Sequence, residues 1–89
     1  MSDAKDILIT ELREHALVVG EVVLTSGKTA RYYVDAKRAI LLRPAFMALG
    51  ELVAQFAAEV GATAVGGMTM GADPVACSAL AAGSDAKAF

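Results

Sequence analysis

The 89-residue chain has one cysteine, Cys77, one histidine, His15, and no tryptophan. A single cysteine excludes an internal disulfide. The simplest compartment for such a chain is a reducing cytoplasm. No group of residues shows metal-ligand spacing. One histidine and scattered serines do not assemble a nucleophile–base pair. No uninterrupted apolar run approaches the roughly 18 residues of a membrane span. The opening MSDAKDILITELREH lacks the basic, apolar and small-residue order of a secretory leader. Internal repeats and low-complexity tracts are also missing.

Strong charge of either sign is lacking too, since the formal net charge is −2. Phosphate affinity scales with the cations brought to bear, so non-specific nucleic-acid binding is not expected. The cations are nonetheless unevenly placed. Lys28, Arg31, Lys37, Arg38 and Arg43 share one window whose only acid is Asp35. That window is either a patch for a small anion or a solvated hairpin face. The hydrophobic fraction is 56%, too apolar for a disordered chain. The length suits one small domain or a piece of a larger one.

Asp3 to His15 reads as an amphipathic helix, with Leu8, Leu12 and Ile9 turned inward and Lys5, Arg13 and Glu14 outward. Ser2 or Asp3 is placed to cap it. ALVVGEVVLTSGKTARYYVDAKRAIL then reads as a β-hairpin turning near Ser26-Gly27-Lys28, with room for a third short strand. Alternation puts Tyr33 and Asp35 on one face and Tyr32 and Val34 on the other. Pro44 fits a first helical turn, where its missing N–H would be unpaired anyway. Phe46, Leu49, Val53, Phe56 and Val60 follow at helical spacing, and Gly61 is a natural terminator. ATAVGG is consistent with a buried parallel strand. MTMGADPVACSALAAG reads as a loop entering a helix, with Asp73 as its cap and Pro74 in its first turn. DAKAF begins another strand. The order predicts an α/β fold: an N-terminal helix and hairpin segment, 1–43, and the first part of a parallel-sheet core, 44–89. The fold looks incomplete, because buried parallel strands need neighbours on both sides.

Two stretches carry candidate chemistry. In the hairpin, Lys28 sits at a turn that can present its ammonium to a ligand, or simply to water. One of Tyr32 and Tyr33 is expected in the core, leaving the other to stack on a flat ligand. In VGGMTMGADPVA, a strand ends, a glycine-containing loop follows, and a helix begins. α/β proteins bind ligands at such places, and backbone N–H groups there favour an anion. The pattern is neither G-x-G-x-x-G nor a P-loop, and a plain tight turn is the competing reading. His15 suits the negative end of the first helix. Cys77 is expected as a small core residue.

Together, in order and across essentially the whole chain, these stretches resemble orotate phosphoribosyltransferase, a type I phosphoribosyltransferase. GEVVLTSGKTARYYVDAKR is similar to that family's N-terminal hairpin, or hood, with its Ser-Gly-Lys turn and paired aromatics. VGGMTMGADPVA is similar to its pyrophosphate-side loop. The resemblance implies transfer of ribose 5-phosphate from phosphoribosyl pyrophosphate (PRPP) to N1 of orotate, giving orotidine 5′-monophosphate and pyrophosphate on the route to UMP. It implies Mg²⁺ held largely by substrate, a cytoplasmic homodimer, and no nucleic-acid or membrane partner. Lys28 matches the turn lysine that reaches the substrates, and Tyr32 and Tyr33 match the aromatic pair at the orotate pocket. Thr69, Met70, Gly71, Ala72 and Asp73 match the loop that meets pyrophosphate. Some relatives carry a Tyr-Lys pair where this chain has Met70 and Gly71, which leaves that contact to backbone N–H groups.

The family's mobile basic loop, and its acidic pair followed by Thr-Thr-Gly, would lie beyond Phe89. The catalytic residues are therefore unknown from this sequence. Residues 1–89 read as the N-terminal half of the enzyme and are expected to be inactive alone. The alternatives are a non-catalytic, ligand-sensing or regulatory phosphoribosyltransferase-like domain, and a purely structural domain.

Overall fold

The structure, a computed structural model, describes residues 2–89. Helix α1 spans Ser2–Glu11 and runs on into a π turn, Leu12–Ala16. The helix starts early enough that Asp3 lies inside its first turn; the side chain of Ser2, the other candidate cap, lies outside the described residues. Leu8 and Leu12 pack on a small cluster of Ala16, Ala39 and Ala45. Ile9 is exposed, contrary to the inward placement expected, because three alanines offer too little surface to cover it.

Strands β1 (Leu17–Val23) and β2 (Thr29–Val34) pair antiparallel, with Val18 opposite Tyr33 and Val19 opposite Tyr32. The register shifts between Val19 and Val22, where Gly20 takes φ 129°, a value suited to a residue without Cβ. A third strand does not follow. Lys37–Ile40 instead forms a short helix, α2, burying Ala39 and Ile40. Both hairpin tyrosines are exposed, Tyr32 at 63% and Tyr33 at 44%. Neither is the core residue expected, because the hairpin's strands pair only with each other.

Helix α3, Arg43–Val60, has Pro44 in its first turn and Gly61 at its end with φ 69°. The Ala62 N–H donates to Ala57 O at 2.8 Å and the Gly61 N–H to Ala58 O at 3.2 Å. These bonds pair two of the last carbonyls in the manner of a left-handed terminator. Strand β3, Ala64–Val65, pairs parallel with β4, Lys87–Ala88, and helix α4, Asp73–Ala81, joins them. The parallel pairing and the final strand agree with the sequence reading. Burial does not: Ala64 is exposed and Val65 half-buried, since two strands have no further sheet neighbours among the described residues.

Helix α4 packs on α3 through small groups. Gly50 is buried, and a Cβ added to it would collide with the backbone carbonyl of Ser78. Ser78 is the largest fully buried side chain; its hydroxyl donates to Val75 O at 2.6 Å. Cys77, expected inside, is exposed, so the inner face of α4 is carried by Ala76, Ser78 and Ala79. On α3, Phe56 and Val60 are 64% and 61% exposed, while Ala45, Ala48, Gly50 and Ala57 are buried. Of the large apolar stripe predicted from spacing, Phe46, Leu49 and Val53 are half-buried, and the C-terminal end has no cover among the described residues.

A core of alanines removes little apolar surface from water, and small domains are marginal even with larger side chains. Isolated residues 1–89 are therefore expected to lose helical circular dichroism over a broad temperature range. A sharp, concentration-independent transition in a monomer would contradict this.

Candidate functional site

The hairpin turn is closed by two backbone bonds of 2.8 Å, from Gly27 N–H to Leu24 O and from Leu24 N–H to Lys28 O. Gly27 has φ 87°, a conformation glycine adopts without steric cost. The Lys28 N–H points at Ser26 Oγ, 3.4 Å away. This leaves the exposed Lys28 side chain at the tip of a fixed turn, with no ion pair among the described residues. Tyr33 lines an open groove of about 440 Å³ with Val22, Leu24, Thr25 and Ser26. An exposed ring beside the hydroxyls of Thr25 and Ser26 can take a planar ligand through ring contact, and Lys28 at the turn of the same hairpin can add charge.

The second candidate, between β3 and α4, is built differently from expectation. Ala72, not Asp73, is the N-cap residue, and no side chain caps the helix. Asp73 is the first helical residue, and its Oδ1 accepts from Thr69 Oγ1 at 3.4 Å. The amides at the start of α4 are occupied: Asp73 N–H donates to Met70 O, and the Val75 and Ala76 N–H groups both donate to Ala72 O. Pro74 has none. The helix terminus thus offers an anion little. The loop offers more, since the N–H groups of Gly66 to Gly71 donate to no acceptor among the described residues. Around Gly71 there is open space, and Met68 and Met70 are 87% and 77% exposed.

Thr69 and Asp73 are brought together; Lys28, Tyr32 and Tyr33 stand on the separate hairpin. Asp73 lines a groove with Ala76, Cys77, Ala88 and Phe89, distinct from the one beside Tyr33. A further grouping was missed in the sequence. Glu11, Glu14 and His15 place ligand-type atoms within 4.8 Å of one another, with His15 Nε2 3.7 Å from Glu11 and 3.8 Å from Glu14. Their i, i+3, i+4 spacing on a helical turn was the available signal. Among the described residues no helix is long and apolar enough to cross a membrane.

No protein-family model matches the chain. Curated relatives do. The chain is 44% identical to orotate phosphoribosyltransferase of Corynebacterium glutamicum over 89 residues, covering 99% of this chain and 48% of that protein. It is 42% identical to the Streptomyces coelicolor enzyme of the same name over 80 residues, 90% of this chain and 44% of that one. Among solved structures, a phosphoribosyltransferase from Corynebacterium diphtheriae matches with a TM-score of 0.80 and 41% identity, over 100% of this chain and 49% of that chain. The Mycobacterium tuberculosis orotate phosphoribosyltransferase, in complex with inorganic phosphate, matches with a TM-score of 0.80 and 37% identity, over 100% and 53%. The chain therefore spans about half the length of the curated relatives it matches.

Proposed function

We propose that this chain, homologous along nearly its whole length to about half of an orotate phosphoribosyltransferase, forms the orotate and pyrophosphate side of such an enzyme's active site. The reaction transfers ribose 5-phosphate from PRPP to N1 of orotate and releases pyrophosphate. The observation that carries the reading is 44% identity along 99% of the chain, spanning both the hairpin and the βα loop.

Lys28 supplies a positive charge to the substrates from the hairpin tip. Tyr32 and Tyr33, on opposite faces of β2, bring aromatic surface to the orotate pocket, where one exposed ring stacks on the planar orotate. Thr69 to Asp73 form the loop that meets the leaving pyrophosphate, with the free backbone N–H groups of Thr69, Met70 and Gly71 as its donors. Positive charge develops on the ribose ring in the transition state while negative charge leaves on pyrophosphate, so the protein's task is positioning and charge stabilisation.

Mg²⁺ fits this loop as a substrate-held ion. The loop has one carboxylate, Asp73, and Mg²⁺ ordinarily takes one or two carboxylates and completes its shell with phosphate oxygens and water. Bound there, the ion would neutralise pyrophosphate charge. In this reading the whole enzyme is a cytoplasmic homodimer.

Residues 1–89 contain no Thr-Thr-Gly run, so the grip on the 5-phosphate lies outside them and the isolated chain is expected to form no product. The test is a chimera in which residues 1–89 replace the matched stretch of the C. glutamicum relative. It should make orotidine 5′-monophosphate within about 100-fold of the parent rate, the loss that a misplacement of about 1 Å brings. A folded chimera without product would overturn the reading.

A further inference from the structure

The loop between β3 and α4 carries two methionines, Met68 and Met70, on either side of Thr69. An unbranched thioether side chain ordinarily fills gaps in a core. Neither does so here, since Met68 is 87% and Met70 77% exposed. Met47, on α3, is less open at 46%. Around the two loop thioethers lie backbone N–H groups without acceptors: those of Gly66 to Gly71 donate to nothing among the described residues. A thioether sulfur is too weak an acceptor to satisfy them. One added oxygen atom changes that, because it turns an apolar side chain into a polar one with an exposed acceptor.

We infer that Met68 and Met70 form a paired oxidation site, whose sulfoxides take the loop's own N–H groups and withhold them from an anion. Hydrogen peroxide supplies the oxygen. A lone pair on the thioether sulfur attacks one peroxide oxygen, the S–O bond forms and the O–O bond breaks. The departing hydroxide collects the remaining proton and leaves as water. Sulfur loses two electrons and peroxide gains them. The geometry favours capture. A methionine side chain turns about three bonds, and the space around Gly71 is open. The Met70 sulfoxide oxygen can therefore fold back to accept from the Gly71 N–H. The proposed pyrophosphate contact uses these same donors, so the effect on binding rests on that reading, while the oxidation and the capture do not.

Peroxide treatment of the C. glutamicum chimera tests the inference. Peptide mass spectrometry should find Met68 and Met70 oxidised roughly 3-fold faster than Met47, following their exposure. With no ligand present, oxidation should move the amide signals of Gly66 to Gly71 and slow their hydrogen exchange. It should also weaken binding of pyrophosphate with Mg²⁺ about 10-fold, the worth of one hydrogen bond to a charged group. Methionine sulfoxide reductases should restore that affinity. A chimera carrying both Met68→Leu and Met70→Leu, compared before and after the same treatment, should keep its own affinity. Cys77 remains in that double variant and serves as the internal control. An equal loss there would assign the effect to another residue and overturn the inference. Sulfoxides at both positions that leave the loop amides unmoved would overturn it too, as would Met47 oxidising first. An untreated chimera that binds no pyrophosphate, yet whose loop amides become protected on oxidation, would sustain the capture and remove the proposed function.

Discussion

Gly50→Leu is expected to lower the Tm of the chimera by about 10 °C or to prevent its accumulation as folded protein. Gly50 lies inside α3, where glycine is about 1 kcal/mol less favourable than alanine, so local propensity alone predicts that replacement stabilises. Packing reverses the sign. The added Cβ would run into the Ser78 backbone carbonyl, which accepts the Ala82 N–H at 3.1 Å at the end of α4. A backbone group held in a helix cannot turn aside as a side-chain tip does. The helices must separate, and overpacking of this kind costs about 3 kcal/mol when it is severe. At roughly 2–4 °C per kcal/mol for a protein of the chimera's size, that is the shift stated. Thermal melting checks it, and a Gly50→Leu chimera as stable as its parent would mean that α3 and α4 are not in backbone contact there.

Lys28→Ala should act on catalysis and leave stability alone. Losing a charge-assisted contact to an anionic substrate costs about 1.5–3 kcal/mol, which corresponds to a fall in kcat/KM of roughly 10- to 100-fold. Lys28 is exposed at a turn whose backbone bonds do not involve its side chain, so Tm should stay nearly constant, as for surface substitutions generally. Lys5→Ala, an exposed change on α1, is the control and should alter neither quantity. Steady-state rates of orotidine 5′-monophosphate formation in the chimera decide the matter. Equal kcat/KM for the two variants would remove Lys28 from the site.

The boundaries marked by backbone chemistry were legible in the sequence. Pro44 and Gly61 bracket α3 because one lacks an N–H and the other tolerates positive φ, and neither property depends on what packs nearby. The hairpin turn at Gly27 and the parallel relation of β3 and β4 were readable for similar local reasons. Burial was not. Spacing groups Phe46, Leu49, Val53, Phe56 and Val60 on a stripe, but it cannot say what covers the stripe, and the stripe's far end is open here. In α4 the choice between Cys77 and Ser78 as the inner residue turns on one helical step. Alanines on every side give periodicity nothing to discriminate. The tyrosines failed for a related reason: alternation assigns faces, yet the hairpin has no packed layer to make one of them a core face.

The candidate site shows the same division. The residue types in the hairpin turn and the βα loop were visible as motifs. Which donors are free was not, since that depends on Met70 and Ala72 carbonyls taking the amides at the start of α4. The Glu11, Glu14 and His15 grouping has i, i+3, i+4 spacing in the sequence, and that spacing becomes a cluster only because these residues lie on a helical turn.

In the proposed function this chain contacts orotate through its hairpin and pyrophosphate through its βα loop. Amide chemical shifts of the isotope-labelled chimera, titrated with orotate and separately with Mg²⁺ and pyrophosphate, test it most directly. Orotate should move the Lys28, Tyr32 and Tyr33 signals, and pyrophosphate those of Thr69 to Asp73, leaving α1 unmoved. Saturating ligand that shifts signals only in the segment from the C. glutamicum relative would contradict the account.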